Sequence, residues 1–348
     1  TAAAFLSSTL VEQVPVAANH NDLAAAIVAV ETELIVRPHA EIVINGNFDH
    51  WQRGTSARTN TTTYSTDTSY AADRFFALPS GASITTQRST TVPNSKAQYS
   101  ALLTGASSVT TVDYGQRVRS ALVAAMAYQS LVFSCYVRNV SGAAFTPNLR
   151  IGTPGSADSF GTVTNRLDQA LQSCADSAWT RVYHVFDPSA YTNLANGMEV
   201  CLRIPSGSLV SGDTVYISQF SLHPGSALAA YVAPDPDAEF DRCAAYYQRF
   251  GPDAGAQLAA ATGYAFATTL GIFFQPYRRI MWKIPTTVAL SDVTHFAMPP
   301  TGATITSMTA HPANHAARLD VSASGGGLTA NQALNLQMQS ASAYIEIR

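Results

Sequence analysis

The sequence predicts a mainly β protein: a jelly-roll or β-sandwich domain, a smaller C-terminal unit of one helix plus a β-sandwich, and a short N-terminal helix. Three observations carry this expectation. Apolar and polar residues alternate at period 2 in many short runs, the pattern of a strand with one buried face. Those runs are bounded by Gly, Pro, Asn and Ser, with no long helical pattern between them, so sheets must stack on sheets. Of 348 residues, 47% are apolar and only 12% charged, which is enough apolar mass for more than one core.

Residues 1–20 show no period and read as an extended attachment arm. Asn21 or Asp22 can cap a helix in which Leu23, Ile27, Val30 and Leu34 recur at 4-3-4 spacing, and Pro38 ends it. A four-turn helix with so narrow a stripe is marginal alone in water. Its partner is either another copy of the chain, in a two-heptad bundle, or the chain's own sandwich. Residues 1–40 are thus expected to anchor and oligomerise the protein.

Residues 41–225 read as the larger sandwich. Leu131, Phe133, Cys135 and Val137 face one way while Ser134, Tyr136 and Arg138 face the other. Val200, Leu202 and Ile204 repeat the pattern, as do Val215 and Ile217, and Tyr183 and Val185 alternate with Val182, His184 and Phe186. Residues 226–238 form a Pro- and Ala-rich linker. Residues 239–348 form the C-terminal β domain, opening on a helix in which Phe240, Cys243, Ala244 and Tyr247 share a face. Its expected strands are 265–275, 286–290, 318–323, 334–338 and 343–347, with a turn at Gly325-Gly326-Gly327.

Several function classes lack support. A net charge of -3 gives no general grip on nucleic acid, which needs clustered Lys and Arg; the tightest basic patch, Arg278-Arg279, reads as a solvated strand end. No run of 18 apolar residues suggests membrane insertion, and residues 1–10 lack the charged start of an export signal. Cys135, Cys174, Cys201 and Cys243 form no C-x-x-C pair. Two disulfides would allow three connectivities, but buried free thiols suit a large domain better. No Gly-x-Ser-x-Gly elbow, phosphate loop or dinucleotide fingerprint is present. His311 and His315 are four apart, but Pro312 lies between them and no third ligand follows. Asp158 with Asp187, or Asp235 with Asp237, are the carboxylate pairs that glycan hydrolysis would need.

Three stretches together resemble phage and prophage fibre or spike proteins with a carbohydrate-binding-module-like jelly-roll domain. The first is Ile44-Asn45-Gly46-Asn47-Phe48-Asp49-His50-Trp51-Gln52-Arg53-Gly54, followed by Ala72-Asp73-Arg74-Phe75. The second is Val215 to Pro224, closing the sandwich, with the linker and then Glu239-Phe240-Asp241-Arg242-Cys243-Ala244-Ala245-Tyr246-Tyr247-Gln248-Arg249. The third is Arg279-Ile280-Met281 with Pro285-Thr286-Thr287-Val288. The resemblance implies a non-enzymatic virion surface protein, at head or tail, that binds host cell-surface polysaccharide. It also implies a homo-oligomer, trimer or pentamer, assembled in the bacterial cytoplasm and joined to other virion proteins through residues 1–40. A purely structural virion component without a glycan site and a capsule depolymerase are the alternatives. No cofactor is expected beyond a structural Ca²⁺, for which the resemblance offers Asn45 and Asp49; residues 217–220 bring no carboxylate to complete such a site.

For glycan contact the candidates are Trp51, Arg53, Tyr64 and Tyr70. Sugar rings pack C–H faces on aromatic rings while their hydroxyls pair with Arg, Asn, Gln and Asp. Trp51 is flanked by Gln52 and Arg53, although a Trp at this place in a sandwich is also a natural core plug. Tyr64 and Tyr70 sit in a Thr-, Ser- and Asn-rich run, residues 59–70, of the kind that forms adaptable contact loops.

Overall fold

A computed structural model describes residues 41–348, apart from 65–68, 125, 127–128, 252–257, 300, 302, 314, 325–327 and 341. The expected N-terminal arm and helix, and the Gly325–Gly327 turn, lie outside the described residues. Residues Ile42–Arg348 cluster as one unit, built around two hydrophobic cores.

The first core lies between two antiparallel sheets. Strands β1 (Arg58–Asn60), β2 (Phe75–Ser80), β3 (Ile84–Ser89), β4 (Ser100–Thr104) and β5 (Thr111–Arg119) precede a short helix α1 (Ser120–Ala124). Strands β6 (Leu131–Val140), β7 (Asn148–Ser156), β8 (Ser159–Ala170), β9 (Trp179–Phe186), β10 (Gly197–Ile204) and β11 (Thr214–Pro224) follow. One sheet has the order β1-β3-β4-β11-β6-β9 and the other β2-β5-β10-β7-β8. The chain therefore crosses between sheets at most of its connections, as in a jelly roll. The alternation expected in β6, β9, β10 and β11 holds: Leu131, Phe133, Cys135, Val137, Val200, Leu202, Val215 and Ile217 all point into the core. Phe48, Phe75, Tyr114, Phe133 and Phe220 form its centre, with ring centroids 4.6–5.6 Å apart along the chain of contacts.

The leading segment, residues 42–48, seals the sandwich without joining a sheet. Ile42 N–H donates to Leu222 O, Phe220 N–H to Gly46 O, and the buried Gln116 amide serves Ile44 like a strand partner, accepting from its N–H and donating to its C=O. Gly46 is required here, because a Cβ would lie 2.0 Å from Phe220 O.

The second core carries helix α2 (Pro236–Ala244) and strands β12 (Gln248–Phe250), β13 (Leu258–Ala267), β14 (Leu270–Pro276), β15 (Val288–Leu290), β16 (Phe296–Ala297), β17 (Thr304–Pro312), β18 (Ala316–Ser324), β19 (Ala333–Met338) and β20 (Ile345–Ile347). They form a sheet β16-β19-β13-β14-β18-β17 and a small sheet β12-β20-β15. Helix α2 begins inside the stretch read as linker, because Asp235 caps it through Asp237 N–H and Pro236 fits the first turn. The single strand expected over 265–275 is instead a hairpin, turning between Ala267 and Leu270. Strand β17 was not anticipated and holds His311, which pairs with Asp320 of β18 at 3.3 Å rather than with His315. All four cysteines are buried free thiols, and burial raises the thiol of each above its ordinary value.

Candidate functional site

The two cores meet where the quoted motifs meet. Glu239, 3% exposed, accepts from Asn45 N–H and pairs with Arg242. Gln52 donates to Asp73 Oδ2 and Tyr247 O and accepts from Arg249 N–H. Gln248, fully buried, donates to Ala244 O and Arg279 O and accepts from Arg278 N–H. His50 meets Pro236 O at 2.9 Å. Much of the resemblance is therefore a seam of polar contacts that fixes α2 and the small sheet against the sandwich.

Beside this seam opens a cavity of about 380 Å³, within the range of small-ligand sites, roughly 300–1,000 Å³. The sandwich contributes Arg117 and Arg119 from β5 and Phe160 from β8. Loop residues Arg53, Tyr64, Tyr70 and Arg74 come from the leading part of the sandwich, and Tyr246, Tyr247, Trp282 and Arg348 from the C-terminal unit. Guanidinium groups lie over rings throughout: Arg53 is 3.5 Å from the Tyr247 centroid and 5.4 Å from that of Tyr70, Arg74 is 3.6 Å from Tyr246, and Arg117 is 4.0 Å from Tyr64. Such stacking fixes both planes in place before any ligand arrives. Tyr64 and Tyr70 also meet edge to face, hydroxyl to hydroxyl at 3.4 Å. Burial, and then the neighbouring Tyr70, push the Tyr64 phenol above its ordinary range.

The loop that presents Phe160 is pinned. Asp158, at φ 56°, accepts from Ser120 N–H and Oγ at 2.7 and 3.0 Å, and its own N–H donates to Asn196 O. Asp73 is 1% exposed and accepts from Gln52 N–H and Nε2; burial raises its carboxyl above the ordinary value, against the opposing pull of Arg53. Among the described residues, both carboxylates that line the cavity are thus engaged in holding the backbone. Asp187 caps a single 3-10 turn and Asp235 caps α2; of the two carboxylate pairs singled out in the sequence, only Asp158 lines the cavity.

Three of the four candidate glycan residues come together: Arg53, Tyr64 and Tyr70 line the cavity. Trp51 does not. It is 6% exposed, packed in the first core, with its indole N–H donated to Phe48 O at 2.6 Å; the apolar core takes the ring and a backbone carbonyl satisfies its one polar atom. Trp179 is half-buried against Tyr216 and lies outside the cavity lining. Sequence reasoning missed Arg74, Arg117, Arg119, Phe160, Trp282 and Arg348. Of these only Arg74 falls within the quoted motifs, as do the cleft residues Tyr246 and Tyr247.

The Ca²⁺ candidates part company. Asn45 is not available to an ion, since its Oδ1 accepts from His50 N–H and its Nδ2 donates to His50 O and Asp73 O. Asp49 Oδ1, Asn47 Oδ1 and Gln219 Oε1 are buried acceptors without a hydrogen-bond partner, linked by a network through Asn94 and Lys96. They are one carboxylate and two amides, whereas Ca²⁺ takes six to eight oxygens, backbone carbonyls and waters among them.

Fold and site together define a two-core β protein with a cleft of arginines and aromatic rings at the seam. No protein-family model and no curated protein matches the chain. Among solved structures, an arabinose-bound GH51 α-L-arabinofuranosidase is 18% identical over 54% of this chain and 27% of its own, with a TM-score of 0.34. The enzymatically active domain of tailspike protein 4 of bacteriophage CBA120 is 13% identical over 53% of this chain and 21% of its own, at 0.32. The xylan-binding domain of carbohydrate-binding module family 22 is 15% identical over 49% of this chain and 95% of its own, at 0.33. The chain thus spans well under two thirds of the first two proteins.

Proposed function

We propose that this chain is a surface component of a phage-like particle that holds host cell-surface polysaccharide in the seam cleft without cleaving it. The observation that carries the binding reading is the cleft itself: rings of Tyr64, Tyr70, Phe160, Tyr246 and Trp282 offer faces to pyranose C–H groups, and the guanidinium groups among them offer donors to hydroxyls. The non-catalytic part rests on Asp73 and Asp158, whose oxygens are taken by Gln52 and Ser120. The particle reading rests on the three sequence motifs, and attachment and trimeric or pentameric assembly through residues 1–40 remain part of the proposal. A single cleft would bind in the millimolar-to-micromolar range, on the order of -4 to -8 kcal/mol, and copies on one particle would raise the effective affinity. The test is a glycan array probed with the intact protein, followed by mass analysis of any retained glycan after prolonged incubation. Retention that Tyr64→Ala abolishes, with the glycan's mass unchanged, is expected; no retention, or shortened chains, defeats the reading.

A further inference from the structure

On the outer face of the five-stranded sheet, register brings opposite charges together. Arg203 lies across from Asp113 and is bound to it at 2.7 and 2.8 Å, Arg150 reaches Asp113 at 2.6 Å, and Arg117 lies across from Glu199 and meets it at 2.9 Å. Each arginine on this stretch of the face has its carboxylate. The pattern breaks at the cleft. Arg119, two residues beyond Arg117 on β5, forms no ion pair among the described residues, and neither do Arg53 and Arg74.

The shortage is also visible atom by atom. The Nε atoms of Arg53, Arg74 and Arg119 are buried without a hydrogen-bond partner, although buried polar atoms nearly always find one. Among the described residues the cleft is lined by two aspartates and five arginines, of which Arg117 and Arg348 are paired with Glu199 and Glu346; both aspartates spend their oxygens on Gln52 and Ser120 rather than on a guanidinium. Arg58 stands nearby; burial first, and the like charge of Arg53 next, lowers its pKa. The rings beneath Arg53, Arg74 and Arg117 hold the guanidinium planes without neutralising them. A neutral sugar would leave this excess charge unmatched. An oxyanion would match it in charge, and two of its oxygens would match the guanidinium fork.

We infer that the cleft is selective for a glycan residue bearing an anionic substituent, a ring carboxylate or a phosphate ester, with Arg53, Arg74 and Arg119 as the anion-binding donors and Tyr64 and Tyr70 as the ring platform. This inference rests on the glycan-binding reading and narrows it.

The test uses the full chain and paired probes in titration calorimetry: tetragalacturonate, a hyaluronan tetrasaccharide and a tetramer of polysialic acid, each against its methyl-esterified form, and a phosphomannan oligosaccharide against its dephosphorylated form. At least one acidic member is expected to bind at least tenfold tighter than its neutral counterpart, with affinity falling as salt rises. Which pair shows the difference distinguishes carboxylate from phosphate. Arg119→Gln is expected to remove the preference while Arg119→Lys keeps part of it, and thermal melts of both variants exclude loss of fold as the cause. Equal binding within every pair, or retention of neutral glycans alone on the array, overturns the anion selectivity and leaves the glycan reading standing. Binding of no glycan at all, acidic or neutral, overturns both.

Discussion

Replacing Glu239 with Ala tests whether the seam holds the two cores in register. The buried carboxylate accepts from Asn45 N–H and pairs with Arg242, whose side chain is one third exposed. Loss of a buried hydrogen bond to a charged group costs about 1.5–3 kcal/mol, and a partly exposed ion pair adds up to about 1 kcal/mol. Glu239→Ala should therefore lower unfolding stability by about 2–4 kcal/mol, since Asn45 N–H is left buried without an acceptor. For a unit of this size that corresponds to a Tm lower by roughly 4–8 °C. Glu239→Gln retains an acceptor for Asn45 and should cost about half as much. Urea unfolding followed by far-ultraviolet circular dichroism gives both numbers. A change below about 0.5 kcal/mol for Glu239→Ala, or equal changes for Ala and Gln, would refute the reasoning that this carboxylate closes the seam.

Gly46→Ala should destabilise by about 1–3 kcal/mol or more, because the added Cβ meets Phe220 O at 2.0 Å, whereas Gly161→Ala, with nothing within 4 Å, should leave the melt unchanged; a silent Gly46→Ala would mean that the leading segment is not seated as described. Trp51→Phe should weaken folding by about 1–3 kcal/mol yet leave the affinity for any retained glycan as it was, and a loss of affinity at full folding would return Trp51 to the contact surface. Asp73 supplies a pH test. Its folded carboxyl titrates above the usual 3.8, so the folded state keeps a proton that the unfolded chain has already released, and this group's contribution to stability declines as pH rises through the window above 3.8. Urea midpoints measured from pH 3.5 to 6 should separate Asp73→Asn from the parent in that window, with parallel curves refuting the assignment.

The sandwich was legible because its central strands are long and one-sided: in β6 the residues Leu131, Phe133, Cys135 and Val137 all reach one core. The C-terminal unit was less so, for identifiable reasons. The hairpin of β13 and β14 turns at Thr268-Thr269, which carry none of the Gly, Asn or Asp that mark tight turns, so two strands read as one. Strand β17 is an edge strand exposed along most of its length, and an edge without a buried face leaves no alternation to read. The cleft was half legible. Tyr64 and Tyr70 stood out as aromatic residues in a polar run, and Arg53 followed from its place beside Trp51. Arg119, Trp282 and Arg348 could not be foreseen, because only the folded seam brings β5, the segment after β14 and the C-terminal residues to one place. Trp51 misled for the converse reason: polar neighbours along the chain suggested a surface, while the indole turned inward to Phe48 O.

The most direct measurement is the structure of the full chain crystallised with an oligosaccharide retained on the array. The account predicts an intact saccharide stacked on Tyr64 and Tyr70, within hydrogen-bond distance of Arg53. A saccharide bound on another face with the seam cleft filled only by water, or a cleaved product lying between two carboxylates, would contradict it.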